Sequence, residues 1–288
     1  MKRTPWNKPN QHSNKLNLSN NVCHDSILID DVKKLFANLD IDPSQYPDEY
    51  KAYRAISDYH NVKIENIAIG HGSGELMNRL LYIFKEKKIS IISPTWQIPE
   101  VMSAIIGMNY VTGYDQTADV VYVANPNGQT GSKINGLESL SQLHEWVIVD
   151  EAYMDFCDQK SLCTNRPDNV IILKSLSKSL SMAGLRFGYL IGNEAIVDHI
   201  QQIRPNYVTN IFVTEALPEL LQMIPGHVNR MIETRNYIES NYDCLKSNAN
   251  YVLFKNPPAF ISKWKTKRIK NLTRMSLLNL KDFIDASS

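Results

Sequence analysis

An α/β architecture is expected from the sequence: a mostly parallel central sheet sandwiched by helices, followed by a smaller α+β C-terminal domain. Up to about residue 205, short β-rich apolar runs alternate with helical patterns. Those runs are apolar almost without interruption, which suits strands buried on both faces rather than one. Beyond Pro205 the pattern turns helical, and 288 residues exceed the size at which one core usually divides. Two unequal domains follow, with ligands bound at the carboxyl ends of the parallel strands.

Residues 1–24 are polar and asparagine-rich, with too few apolar positions to pack alone, so they read as an arm lying on another surface. Residues 25–205 form the large domain. Its expected strands are Ile67–Ile69, Ile89–Ile92, Val120–Val123, Val147–Val149, Val170–Leu173 and Tyr189–Ile191. Residues 206–288 read as linking helices and a short C-terminal domain. An amphipathic helix spans about Val228 to Leu245, a strand covers Tyr251–Phe254, and a basic tail follows.

Composition narrows the classes of function. Lys plus Arg (31) nearly balance Asp plus Glu (30), so no global field draws the chain onto nucleic acid or an acidic membrane, and a small polar substrate is the expected partner. The four cysteines (Cys23, Cys157, Cys163, Cys244) form no Cys-x-x-Cys pair, and the seven histidines show no metal-ligand spacing. No metal and no disulfide framework are expected, in keeping with a reducing cytoplasm. The N-terminus carries no apolar signal segment, no run approaches the roughly 20 residues that cross a bilayer, and no internal repeat is present.

The most informative segment is Ser175-Leu176-Ser177-Lys178 with Ala183-Gly184-Leu185-Arg186-Phe187-Gly188-Tyr189. It sets a lysine among hydroxyls and a guanidinium at a strand end. A lysine amine forms a Schiff base with the aldehyde of pyridoxal phosphate while such donors clasp its phosphate. Gly70-His71-Gly72-Ser73-Gly74-Glu75, between a strand and a helix, offers backbone N–H groups to a phosphate at a helix N-terminus. Further along come Ser93-Pro94-Thr95-Trp96, Asn125-Pro126-Asn127-Gly128-Gln129-Thr130-Gly131 and Asp150-Glu151-Ala152-Tyr153. In this order the motifs resemble the fold-type I pyridoxal-phosphate enzymes, aminotransferase class I/II, and within them the histidinol-phosphate aminotransferase branch.

The resemblance implies a role for each residue. Lys178 carries the cofactor and then shuttles the substrate α-proton. Asp150 faces the pyridine nitrogen, and Tyr153 donates to the ring oxygen. Gly72, Ser73, Gly74, Ser175, Ser177 and Arg186 form the phosphate cup. Trp96 stands where relatives stack an aromatic residue on the ring, a core tryptophan being the other reading. Arg274 grips the substrate α-carboxylate through two parallel hydrogen bonds, unless it belongs to the solvated basic run around Lys267, Arg268 and Lys270. Tyr46 matches a tyrosine that reaches the phosphate of a neighbouring subunit, which makes a homodimer the active unit. One segment departs from the family, whose loop reads Asn-Pro-x-Asn-Pro-Thr-Gly. Gly128 stands at the place of the second asparagine, so Asn127, shifted by a residue, is expected to bond the ring oxygen, with Asn125 the alternative.

The expected activity is transfer of an amino group between an amino acid and a 2-oxo acid or phosphorylated amine. Decarboxylation of an O-phosphorylated amino acid, as in threonine-phosphate decarboxylases, is the alternative on the same scaffold. A third reading is a cofactor-binding scaffold of low turnover, suggested by the altered loop and the short C-terminal domain.

Overall fold

The computed structural model describes residues 15–287; the first fourteen residues of the expected arm lie outside the described part. The strands of the large sheet are β1 (Ile67–Gly70), β2 (Ile89–Ile91), β3 (Tyr110–Thr112), β4 (Val120–Ala124), β5 (Trp146–Asp150), β6 (Val170–Ser175) and β7 (Gly188–Ile191). They lie in the order β1-β7-β6-β5-β4-β2-β3. From β3 to β6 every pair is parallel, and β7 runs antiparallel to its neighbours β6 and β1. The six expected strands are all present. The seventh, β3, lies on the edge and is partly exposed, so its short sequence lacks the apolar run that marks the others.

The pleat sorts the apolar residues into two cores. On one face Ala68, Ile148, Ile171 and Leu190 pack with Leu76, Met77 and Leu80 of α3 (Ser73–Ile83) and with Ile196 and Ile200 of α7 (Glu194–Gln202). On the other face Ile67, Ile69, Val147, Val149 and Ile172 pack with Leu28 and Val32 of α1 (Ser26–Ala37), Ala52 and Ile56 of α2 (Glu49–His60), and the long helix α8 (Ile211–Asn241). Helices α4 (Ile98–Ile106), α5 (Leu137–Leu143) and the single turn α6 (Leu176–Ser179) complete the large sheet's surroundings.

Helix α8 is 31 residues long and holds Pro218 and Pro225 inside it, whereas the sequence pattern placed a helix only from about Val228. The prolines each remove one backbone donor, a signal that reads as a boundary. Burial of Val213, Leu217, Leu220, Leu221, Ile224, Val228 and Met231 on one stripe carries the helix through them.

A second sheet of four antiparallel strands runs β10 (Lys267–Ile269), β11 (Leu272–Ser276), β9 (Tyr251–Phe254), β8 (Cys244–Leu245), and α9 (Leu280–Ser287) follows it. The basic tail is therefore a hairpin in which Lys267 lies directly opposite Arg274.

Residues 15–24 lie along this second sheet. Leu18 N–H donates to Lys265 O (2.8 Å), Ser276 N–H to Leu18 O (2.9 Å) and His24 N–H to Leu277 O (2.9 Å). Leu18 is fully buried, an anchor of about 2 kcal/mol for a segment otherwise polar. Asp25, which caps α1 by accepting from Leu28 N–H, also accepts from Nδ1 of His227 (2.8 Å) and from Arg230 (2.7 Å) on α8. Burial alone would raise its carboxyl; the His227 and Arg230 hydrogen bonds outweigh burial and hold it down to about 2. Through Nε2, His227 meets Ser181 Oγ (3.0 Å), in the loop just beyond α6.

Candidate active site

A cavity of about 500 Å³ opens at the carboxyl ends of β4, β5 and β6, between the two sheets and beneath residues 19–22. Its floor is the turn from β1 into α3. Gly72 has φ +88° and a Cβ there would stand 2.8 Å from the Arg186 guanidinium, so glycine is required on both counts. A Cβ at Gly188 would lie 2.4 Å from Ser73 N, which lets β7 press directly against the start of α3. Helix α3 has no side-chain cap, and its first N–H groups, at Ser73 and Gly74, border the cavity. Arg186 spans this floor, donating to Ala183 O (3.0 Å), His71 O (3.3 Å) and Ser177 Oγ (3.4 Å). Ser175 caps α6 by accepting from Ser177 N–H at 3.2 Å, which aims that single turn at the same space.

The wall comes from β5 and α6. Asp150 ends β5, buried, accepting from the Tyr122 hydroxyl (2.9 Å) and Ala152 N–H (3.0 Å). Burial raises its carboxyl above the usual range even though both hydrogen bonds and Lys178 pull it the other way. Lys178 donates to Asn20 O at 2.9 Å. Burial, joined by the charges of Arg274 and Arg186, brings its ammonium down to about 8 against the opposing pull of Asp150 and Cys23. Among the described residues no carboxylate pairs with Lys178, Arg186, Lys267 or Arg274.

The roof comes from residues 19–22 and the hairpin of the second sheet. Asn21 Nδ2 donates to the Tyr153 hydroxyl (2.8 Å) and to Gly128 O (3.3 Å). Arg274, only 5% exposed, donates to Gly128 O and Ser19 O at 3.3 Å each, leaves Nε without a partner, and lies 5.3 Å from the ring centre of Tyr251. Lys267 borders the cavity beside it. Burial lowers the Lys267 ammonium, and the Arg274 charge adds to that. Trp96 borders the cavity too, with its ring against Gly74, where a Cβ would stand 2.9 Å away.

Gly72, Ser73, Gly74, Trp96, Asp150, Tyr153, Ser175, Ser177, Lys178, Arg186 and Arg274 thus meet in one cavity, although they span most of the sequence. Two expected residues do not join them. The amide of Asn127 is committed inside its own loop: Nδ2 donates to Pro94 O (2.6 Å), and Oδ1 accepts from Gln129 N–H (2.8 Å) and Thr130 N–H (3.1 Å). Asn125, the alternative, accepts from Ile134 N–H (2.8 Å) and donates to Gln159 (3.1 Å). Tyr46 is 75% exposed and stacks on Tyr207, with ring centres 4.1 Å apart, outside the cavity lining of its own chain.

Residues absent from the sequence reading also belong to the site: Asn20, Asn21, Tyr122 and Lys267. Only Tyr122 carried a local signal, a hydroxyl in the otherwise apolar Val120-Val121-Tyr122-Val123, which must find a partner once buried.

The fold and this cavity define a phosphate-binding lysine enzyme of the α/β class. The aminotransferase class I and II family matches residues 13–262, and the chain belongs to that family, whose cofactor is pyridoxal phosphate. A histidinol-phosphate aminotransferase of Pyrococcus furiosus is 29% identical over 227 residues, 70% of this chain and 66% of the relative. Histidinol-phosphate aminotransferase from Sinorhizobium meliloti, solved in complex with pyridoxal-5'-phosphate, superposes with a TM-score of 0.78 at 18% identity, covering 95% of this chain and 89% of the other. L-threonine-O-3-phosphate decarboxylase from Porphyromonas gingivalis gives a TM-score of 0.73 at 16% identity, covering 94% and 98%. At these identities the two structures share the fold.

The residues present fit the cofactor. The glycine floor that a Cβ would fill, the open start of α3 and the Arg186 guanidinium suit a phosphate. A buried carboxylate of raised proton affinity suits a pyridinium nitrogen, and a lysine freed from carboxylates suits an aldehyde.

Proposed function

We propose that the protein is a pyridoxal-phosphate-dependent aminotransferase of the histidinol-phosphate aminotransferase kind, moving an amino group between an amino acid and a 2-oxo acid or phosphorylated amine. The observation that carries the proposal is the pairing of Lys178 and Asp150 on one wall with two unpaired cations, Lys267 and Arg274, on the other. When bound, the cofactor supplies the electron-withdrawing ring on which the reaction depends. Lys178 attaches it and carries the α-proton of the substrate. Asp150 keeps the pyridine nitrogen protonated, and the Tyr153 hydroxyl faces the ring oxygen. Arg274 offers its fork to the α-carboxylate. Like charges placed directly opposite on neighbouring strands destabilise a hairpin, so a second cation at Lys267 argues for a second anionic group on the substrate, as a phosphorylated one has.

Tyr46, exposed on the surface, is available to reach the phosphate site of a second copy, and a homodimer is part of the proposal. So is a cytoplasmic setting, in keeping with four free cysteines. Among the described residues no helix is long and apolar enough to cross a membrane.

The test offers the purified, cofactor-loaded protein phosphorylated and unphosphorylated amino acids with 2-oxo acids, following amino transfer and trapping carbon dioxide. Amino transfer without stoichiometric carbon dioxide is expected. Arg274→Ala should lower kcat/KM by at least about tenfold, and up to a thousandfold, as two charge-assisted hydrogen bonds are lost, while cofactor binding holds. Carbon dioxide released mole for mole would support decarboxylation instead, a reading that the same cations accommodate. No turnover of any pair would leave the low-turnover scaffold.

A further inference from the structure

Tyr153 accepts one hydrogen bond among the described residues, and it comes from the N-terminal segment: Asn21 Nδ2 stands 2.8 Å from its hydroxyl. The orientation of that amide is fixed, because Nδ2 also lies 3.3 Å from Gly128 O, which can only accept. The tyrosine oxygen therefore receives a proton from Asn21, and its own proton is left for an acceptor in the cavity. No other amide of the site is free for this task, since Asn125 and Asn127 are both committed within their loop. Gly128 has no side chain, and a Cβ there would meet the Tyr153 ring at 2.7 Å.

Asn21 itself is built in at some cost. It is 4% exposed, holds a left-handed backbone with φ 54°, and keeps a buried Oδ1 without a partner. Its carbonyl is pinned by Nδ2 of the fully buried Asn250 at 3.0 Å. Strained backbone and unspent polar capacity in a cavity wall are features that ordinary packing does not select.

We infer that Asn21 is a positioning residue that acts through Tyr153, turning the tyrosine's proton onto the ring oxygen of the cofactor, an inference that rests on the cofactor placement proposed above. The ring oxygen shares a proton with the nitrogen of the attached lysine, and a donor aimed at that oxygen stabilises its ionised form. Removing the donor, or letting it rotate away, holds the proton more tightly. The pH midpoint at which the bound cofactor changes its visible absorption band then rises.

The experiment titrates that band in the cofactor-loaded protein against pH, for wild type, Asn21→Gly, Asn21→Asp, Tyr153→Phe and the double variant Asn21→Gly/Tyr153→Phe. Glycine keeps the left-handed backbone and deletes only the amide. Tyr153→Phe should raise the midpoint most. Asn21→Gly should raise it by about 0.3 to 1 unit, corresponding to the roughly two- to tenfold effect of one hydrogen bond. Asn21→Asp, which makes the donor an acceptor competing for the tyrosine's proton, should raise it further than Asn21→Gly. In the double variant the shift should equal that of Tyr153→Phe alone, because the asparagine has nothing left to act through. A midpoint unmoved by Asn21→Gly, or shifts that add in the double variant, overturn the inference, even if melting temperature or cofactor affinity falls. A midpoint unmoved by Tyr153→Phe overturns the placement of the ring and this inference with it.

Discussion

The two faces of the β5–β6 pair hold two lysines four residues apart with opposite fates. Lys174, on β6, is 3% exposed and lies 3.3 Å from Asp155 and 3.6 Å from Glu151. Burial opposes its charge, but those carboxylates outweigh burial and raise its ammonium well above the usual lysine range. On that face His60 bonds the Tyr189 hydroxyl at 2.8 Å, and burial together with the Lys174 charge pulls its ring down to about 4. Lys178, one helical turn further and across the pleat, has no carboxylate partner and falls to about 8. Ser175 and Asp150 face it, while their chain neighbours Lys174 and Glu151 point the other way. The same strand end thus makes one lysine a fixed cation and the other a potential nucleophile. The difference lies entirely in which carboxylates the pleat delivers to each face.

The sharpest way to break this contrast is to remove the nucleophile. Lys178→Ala should abolish covalent attachment and, through loss of the proton shuttle alone, cost about 10²- to 10⁴-fold in turnover. Borohydride reduction and peptide mapping of the wild type should find the cofactor on Lys178; label on Lys174 would reverse the assignment. Lys174→Met tests the other face. It leaves Glu151 buried beside Asp155 without its cation, a loss of about 3–5 kcal/mol that denaturant unfolding would measure. The variant that still folds should attach cofactor at Lys178 as before. The smallest effect is in pH. Only the neutral amine attacks an aldehyde, so the rate of cofactor capture by the free protein should fall about tenfold per unit below about 8 and level off above it. A profile still rising towards the ordinary lysine value of 10.5 would mean that burial does not act on Lys178 as described. The same depression gives stability a sign. Between about 8 and 10.5 the folded chain has released this proton while the unfolded chain keeps it, so Lys178 makes stability rise with pH across that window.

What was legible in the sequence follows the length scale of the forces. The six apolar strands could be read because burial on both faces leaves an unbroken apolar run, and the phosphate floor because glycines and serines at strand ends do their work within a few residues. Edge strand β3 and the first half of α8 escaped, one for want of burial and the other because Pro218 and Pro225 mimic a boundary that tertiary packing overrides. The roof was least visible. Asn20 and Asn21 act through backbone and amide contacts with Lys178 and Tyr153, more than a hundred residues away, and Lys267 acquires meaning only from the register that sets it opposite Arg274. Asn127 was misplaced for the converse reason: its loop closes on itself and consumes the amide locally.

The strap of residues 19–22 has a thermodynamic consequence. Because floor, wall and roof come from segments remote in sequence, no contiguous fragment contains the whole cavity. A ligand that fits it recognises the assembled fold and not the unfolded chain, so occupancy shifts the folding equilibrium by mass action, about 2.7 kcal/mol at a hundredfold excess over the dissociation constant. Cellular supply of the cofactor then regulates not only how many sites are loaded but how much of the protein survives proteolysis, since degradation draws on the open, unliganded population.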